Sequence, residues 1–118
     1  MPKRGDRAAP PARRGEWTLI FHDGQSAEGW EELCAAAPGP MLDVWTHLAR
    51  DPRDRRANAD RVHRLQGDLS TRDVRGQKLE QWQHEVTGAG RVWYCPEDTR
   101  HVVHITLVTK GHPKETDR

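Results

Sequence analysis

The chain has 118 residues, 34% of them hydrophobic and 31% charged, which fits one domain of the usual roughly 100 to 200 residues and leaves no apolar material for a second core. Its 19 Lys and Arg nearly balance 18 Asp and Glu, for a net charge of +1, so bulk charge excludes neither nucleic acid nor protein as a partner. Cys34 and Cys95 lack the short paired spacing of zinc or redox motifs, no run approaches the roughly 18 apolar residues of a membrane span, and the basic start leads into Pro and Arg, so a soluble protein of the reducing cytoplasm, without metal or cofactor, is expected.

Residues 1–16 hold five Lys or Arg against two acids among Pro, Gly and Ala, with no apolar periodicity, and are expected to form a disordered basic arm ahead of a single domain, 17–118. Trp17 to His22 is a β-rich run closed by Asp23-Gly24, a first strand. Ser26 then offers an N-cap, and Ala27, Trp30, Leu33, Cys34 and Ala37 recur at the spacing of one helical face until Pro38-Gly39-Pro40. A second helix follows, with Pro40 in its first turn and Met41, Val44, Trp45 and Leu48 as its apolar stripe, ending at Asp51-Pro52. Five Trp against one Phe and one Tyr make indoles the anchors of a thin core, since each buries a large area.

Charge is unevenly spread. Residues 17–49 carry five acids and no Lys or Arg, whereas 50–78 carry nine Lys or Arg against five Asp. The basic stretch fits a phosphate backbone or a solvated face laced with ion pairs, and charge alone does not choose. Residues 53–69, with Val62, Leu65 and Leu69 as their only large apolar groups, read as an exposed, partly helical connection.

In the last third, Leu79–Thr87, Arg91–Cys95 and His101–Thr109 are β-rich runs separated by Gly88-Ala89-Gly90 and by Pro96–Arg100, the pattern of an antiparallel meander. Alternation sets Trp82, His84 and Val86 on one side of the first run and Gln81, Gln83 and Glu85 on the other. In the third run Val103, Ile105 and Leu107 form the apolar side. The expected fold is α+β, in the order β-α-α-β-β-β, with two helices on one face of a twisted antiparallel sheet and a polar face left open.

Phosphate loops, nucleophile elbows and helical zinc motifs are missing from the sequence. Gln81, Gln83, Glu85 and Arg91, followed by the closing run Lys110-Gly111-His112-Pro113-Lys114, are groups that move protons and hold anions. That inventory suits cleavage of RNA by its own 2′-hydroxyl, in which a base removes a proton, cations hold the charge on phosphorus and an acid protonates the departing oxygen.

Two segments, Leu79–Tyr94 with its Trp82, Arg91 and Trp93, and Gly111-His112-Pro113-Lys114-Glu115-Thr116, together with the inferred element order, resemble the RelE/ParE toxin superfamily over about residues 17–116. The resemblance implies a RelE-like toxin domain of a type II toxin–antitoxin system: a metal-independent endoribonuclease that cleaves mRNA, associated with the ribosome and neutralised by a separate antitoxin protein. It implies Arg91 as the phosphate-stabilising strand Arg and His112 as a catalytic His, with Lys110 and Lys114 as candidate phosphate-neutralising cations. Glu85 is a candidate base by face geometry, Gln81 and Gln83 line the same polar face, and Trp93 shares the face of Arg91 as a stacking candidate. Against these stand an Arg91–Glu85 ion pair at the hairpin and a turn role for His112. The superfamily also allows a ParE-like toxin that inhibits a topoisomerase without cutting RNA, or an inactive antitoxin-binding relic.

Overall fold

The computed structural model describes residues 2–8, 11–56 and 59–111. Strand β1 (Thr18–Phe21) leads into helices α1 (Gly24–Ala36) and α2 (Pro38–Arg50), and the chain then forms β2 (Val62–Arg64), a single 3-10 turn at Gly67–Leu69, β3 (Thr71–Val74), β4 (Gln77–Glu80), β5 (Trp82–Glu85), β6 (Arg91–Glu97) and β7 (Val102–Thr109). The main sheet has the order β1-β7-β6-β5-β2, and β3 and β4 form a separate two-stranded hairpin. The expected α+β class, two helices on a sheet, holds. The sheet is mixed instead of antiparallel, because β1 enters at the edge parallel to β7 while the other neighbours run antiparallel.

Helix α1 is capped by Asp23 and not by Ser26. The Ser26 amide donates to Asp23 Oδ1 at 2.8 Å and the Asp23 amide to Ser26 Oγ at 3.2 Å, a reciprocal box that satisfies two orphan donors. Ala27, Trp30 and Leu33 then point into a core shared with Met41, Val44 and Leu48 of α2 and with Leu19, Phe21, Val92, Tyr94, Val103, Ile105 and Val108 of the sheet. The Pro38-Gly39-Pro40 segment opens α2 as much as it closes α1, since proline is tolerated where the helical amide has no partner. No helix among the described residues is long and apolar enough to cross a membrane.

Gly29 sets how closely α1 lies on β7. A Cβ built there would stand 2.3 Å from the Val108 carbonyl oxygen, and backbone cannot yield as a side-chain tip can. Gly29→Ala is therefore expected to destabilise the fold by about 1–3 kcal/mol through overpacking, although alanine is the better helix former by about 1 kcal/mol. Urea denaturation measures it; a net gain in stability would show that the helix sits further from the strand.

Two local expectations change. The run Leu79–Thr87 breaks at Gln81, whose amide donates to the Ser70 carbonyl and whose carbonyl accepts from Leu65, so β4 turns away from β5 into the hairpin. That hairpin closes on Arg75 and Gly76, both at positive φ, the geometry of a two-residue turn that follows strand twist. A bulge between Trp93 and Tyr94 pairs Trp93 with Leu107 and Tyr94 with Ile105, which leaves Thr106 over. Alternation is thereby reset, and Val108 replaces Leu107 in the core.

Ordered backbone also replaces part of the expected disordered arm. The Gly5 amide donates to the Phe21 carbonyl at 2.9 Å, Phe21 to Asp6 at 3.0 Å and Ala8 to Leu19 at 2.8 Å, and Ala8 is buried. The unpaired edge of β1 recruits these residues because its amides and carbonyls otherwise lack partners.

Candidate functional site

The face of the sheet away from the helices was expected to be open and polar. It is polar but largely closed. β4 of the hairpin packs against β6, and the polar side chains beneath satisfy one another. Gln81, 1% exposed, donates from Nε2 to the Leu69 carbonyl at 3.0 Å and accepts at Oε1 from Thr106 Oγ1 at 2.7 Å, the residue freed by the bulge. Gln83 accepts at Oε1 from the Trp93 indole at 2.8 Å, and its Nε2 donates to His63 Nε2 at 3.4 Å. Gln81, Gln83 and Trp93, expected on an RNA-facing surface, are thus interior polar contacts, since each amide or indole removed from water needs a protein partner.

Arg91 is likewise turned inward. It is 6% exposed, and its NH1 donates to the carbonyls of Gly90 at 3.0 Å, Thr87 at 3.3 Å and Gly88 at 3.4 Å. Its NH2 stands 3.5 Å from Glu85 Oε1 across the β5–β6 register. The guanidinium therefore fixes the β5–β6 turn and holds the carboxylate beside it. Lys110 is exposed one residue beyond Thr109, the register partner of Arg91, at the same end of the sheet. His112 and Lys114 lie outside the described residues.

Glu85 has a second environment. With Asp43 and Val44 of α2, Pro40, Arg61, His84, Val86 and Thr87, it lines a cleft of about 580 Å³ between α2 and the end of β5. Arg61 reaches this cleft because the Glu85 amide donates to its carbonyl at 2.8 Å, ahead of β2, and its NH1 donates to the Val86 carbonyl at 3.4 Å. A neighbouring cleft of about 500 Å³ shares Asp43 and contains His47, Arg50 and Asp51. Sequence reasoning missed Asp43, Arg61 and His84. The signals for them were the acidic run of 17–49 for Asp43, the basic charge of 50–78 for Arg61 and the alternation that set His84 with Trp82 and Val86.

His84 belongs to the helix–sheet boundary. Its Nδ1 donates to the Glu85 carbonyl at 2.9 Å, and its ring meets that of His47 edge-on with centroids 5.0 Å apart. His47 Nε2 donates to the Asp54 carbonyl at 2.8 Å, which leaves His47 Nδ1 buried with no partner. Burial pushes His84 down to about 4, with the neighbouring His47 and Arg61 adding to the shift and the Glu85 carbonyl and Asp43 opposing it. Because the folded value lies below the ordinary 6.5, the unfolded chain binds the proton more readily. The stability His84 contributes is then complete above about pH 6.5 and falls as pH drops toward 4, by roughly 3 kcal/mol. Urea midpoints between pH 7.5 and 4 measure it, and His84→Asn is expected to flatten that part of the curve; an unchanged slope would assign the loss to other groups.

A separate polar cluster lies at the far end of β6. Glu97 accepts from Arg100 Nε at 2.8 Å and NH2 at 2.9 Å, from His104 Nε2 at 2.8 Å and from Thr99 Oγ1 at 3.2 Å. The Arg100 bonds, helped by those from His104, Gln77 and Thr99 and opposed by burial, hold the Glu97 carboxyl well below the usual carboxylate range. This cluster pins the β6–β7 turn and has no opening toward the cleft lining.

No protein-family model and no curated protein matches the chain. Among solved structures it is similar to a chain of the archaeal RelE–RelB complex from Pyrococcus horikoshii OT3, with a TM-score of 0.55 and 19% identity, over 79% of this chain and 92% of that one. At this identity the likeness is one of fold, and the fold is RelE-like.

Proposed function

We propose that the chain is the toxin of a type II toxin–antitoxin pair, a cytoplasmic protein covered by a small antitoxin, and that it stops translation by cleaving mRNA, in association with the ribosome and without a metal. The observation that supports this most is the RelE-like fold, and the chemistry is assigned to Glu85 because it lines the cleft that Arg61 enters while pairing with Arg91 at 3.5 Å. In this reading Arg91, 3.5 Å away, holds the Glu85 carboxylate in position. Glu85 takes the proton of a ribose 2′-hydroxyl, and the freed oxygen attacks the adjacent phosphorus while Arg61 and Lys110 offset the charge on its oxygens. The bond to the 5′-oxygen breaks, leaving a 2′,3′-cyclic phosphate on one fragment and a 5′-hydroxyl on the other. His112 is the proposed acid for that oxygen, and Lys114 a further cation. The neighbour of known structure is a RelE–RelB complex, which supports a protein partner for this chain.

One observation favours a second reading. Arg91 NH1 is committed to three backbone carbonyls, an arrangement that serves a binding scaffold as well as a catalyst, as in a ParE-like toxin that inhibits a topoisomerase. Induced expression separates the two. The nuclease reading expects translation to stop first, with cut mRNA and unchanged plasmid supercoiling; the topoisomerase reading expects altered supercoiling with intact mRNA. A chain that binds an antitoxin and does neither would be a relic.

A further inference from the structure

From the donors and acceptors that line the cleft beside α2, we infer that it is a guanosine site, in which the Asp43 carboxylate accepts from the N1–H and N2–H of the base and Arg61 holds the attached phosphate. The inference rests on the reading of the chain as an RNA-cleaving protein and assigns that site its base preference.

The cleft is richer in acceptors than in donors. His84 Nδ1 faces the Glu85 carbonyl at 2.9 Å, and a carbonyl only accepts, so that nitrogen carries the ring proton. The neutral ring then presents Nε2 as a lone pair, and among the described residues that nitrogen has no protein partner and is not sealed from solvent. His84 is 4% exposed and lines the cleft, so its free acceptor opens there. Asp43 is exposed on α2 and forms no ion pair among the described residues. Glu85 is a third acceptor, shared with Arg91. Pro40, Val44 and Val86 supply apolar wall.

A ligand that suits these groups offers adjacent donors on a flat apolar body together with an anion. Guanine has that edge, because its N1–H and N2–H lie side by side and match the two oxygens of a carboxylate. Adenine and cytosine put a ring-nitrogen lone pair beside the amino group, and uracil flanks its one N–H with carbonyls, so each sets a lone pair against Asp43. A carboxylate set against a lone pair repels it and gains no hydrogen bond, so a site built to accept from adjacent N–H groups disfavours each of these bases. A lysine or arginine side chain from a protein partner also brings donors, but it would meet Arg61 in the same cleft, whereas a nucleotide's phosphate is attracted to it.

The test is binding of guanosine 3′-monophosphate to the full chain, read from the His84 ring resonances, beside the adenosine, cytidine and uridine monophosphates. We expect guanosine 3′-monophosphate to bind at least tenfold more tightly than the others and to move those resonances, and Asp43→Asn to erase the preference while the spectrum stays that of the folded protein. A 2′-O-methyl pentanucleotide with one guanosine identifies the source: tighter binding than the mononucleotide means an RNA strand, equal binding a free nucleotide, and both keep guanosine as the ligand. Equal affinity for all four mononucleotides, a preference that survives Asp43→Asn, or His84 resonances that respond only to N-acetyl-arginine amide would overturn the assignment. Cleavage without guanosine preference would remove this site and leave the nuclease standing; guanosine binding without cleavage would do the reverse.

Discussion

Glu85→Gln is expected to lower RNA cleavage by two to four orders of magnitude, the usual effect of losing a positioned general base, while the protein stays folded. The reason for both halves lies in the geometry. The Glu85 side chain is 30% exposed, so the substitution uncovers no buried cavity, and the amide can still accept from Arg91 NH2, now 3.5 Å from Oε1. Only proton acceptance is lost. Arg91→Ala is the less informative change, because it releases three turn carbonyls as well as the carboxylate and so alters the fold of the hairpin together with any chemistry. Cleavage by Glu85→Gln at the wild-type rate, assayed with a chelator present, would remove the proposed base.

Glu97→Ala is expected to destabilise the protein by about 1–3 kcal/mol, the cost typical of leaving a buried hydrogen-bonding group without its partner. The Glu97 side chain is 3% exposed and that of His104 1%, so the substitution leaves an imidazole nitrogen in the interior without the acceptor that stood 2.8 Å away. Arg100, about half exposed, recovers water and adds little to the loss. Since small domains have only about 5–15 kcal/mol of stability in all, the variant is expected to unfold at much lower urea; a midpoint close to that of the wild type would mean that the turn is held by its backbone alone. The wild-type protein loses the same contribution in acid: the folded carboxyl titrates below its unfolded value, so the stability is present above about pH 4.5 and disappears as the group is protonated in the native state.

The helices were legible because their apolar spacing is strong: Ala27, Trp30, Leu33, Met41, Val44 and Leu48 all reach the core that periodicity assigned them. The last two strands were legible for the same reason. Less could be read where a single interior contact decides the path. Nothing in the alternation of 79–87 announces that the Gln81 backbone exchanges hydrogen bonds with Leu65 and Ser70, and a bulge such as the one that frees Thr106 leaves no local pattern. Burial of the polar face was hidden because residues 70–78 suggest no element that would cover it, and it is β4 that packs on β6, with Gln83 and Trp93 among the interior residues. The pairing of Glu85 with Arg91 was legible from strand register. Its opening onto the α2 cleft was not, since Asp43, Arg61 and Glu85 are far apart in sequence and meet only through the fold.

The measurement that bears most directly on the proposal is the chemistry of the RNA ends. Purified protein, incubated with a translating extract in the presence of a chelator, is predicted to leave mRNA fragments that end in 2′,3′-cyclic phosphates and begin with 5′-hydroxyls, and the Glu85→Gln protein to leave the message whole. Intact mRNA with the wild-type protein, or ends bearing 5′-phosphates, would contradict it.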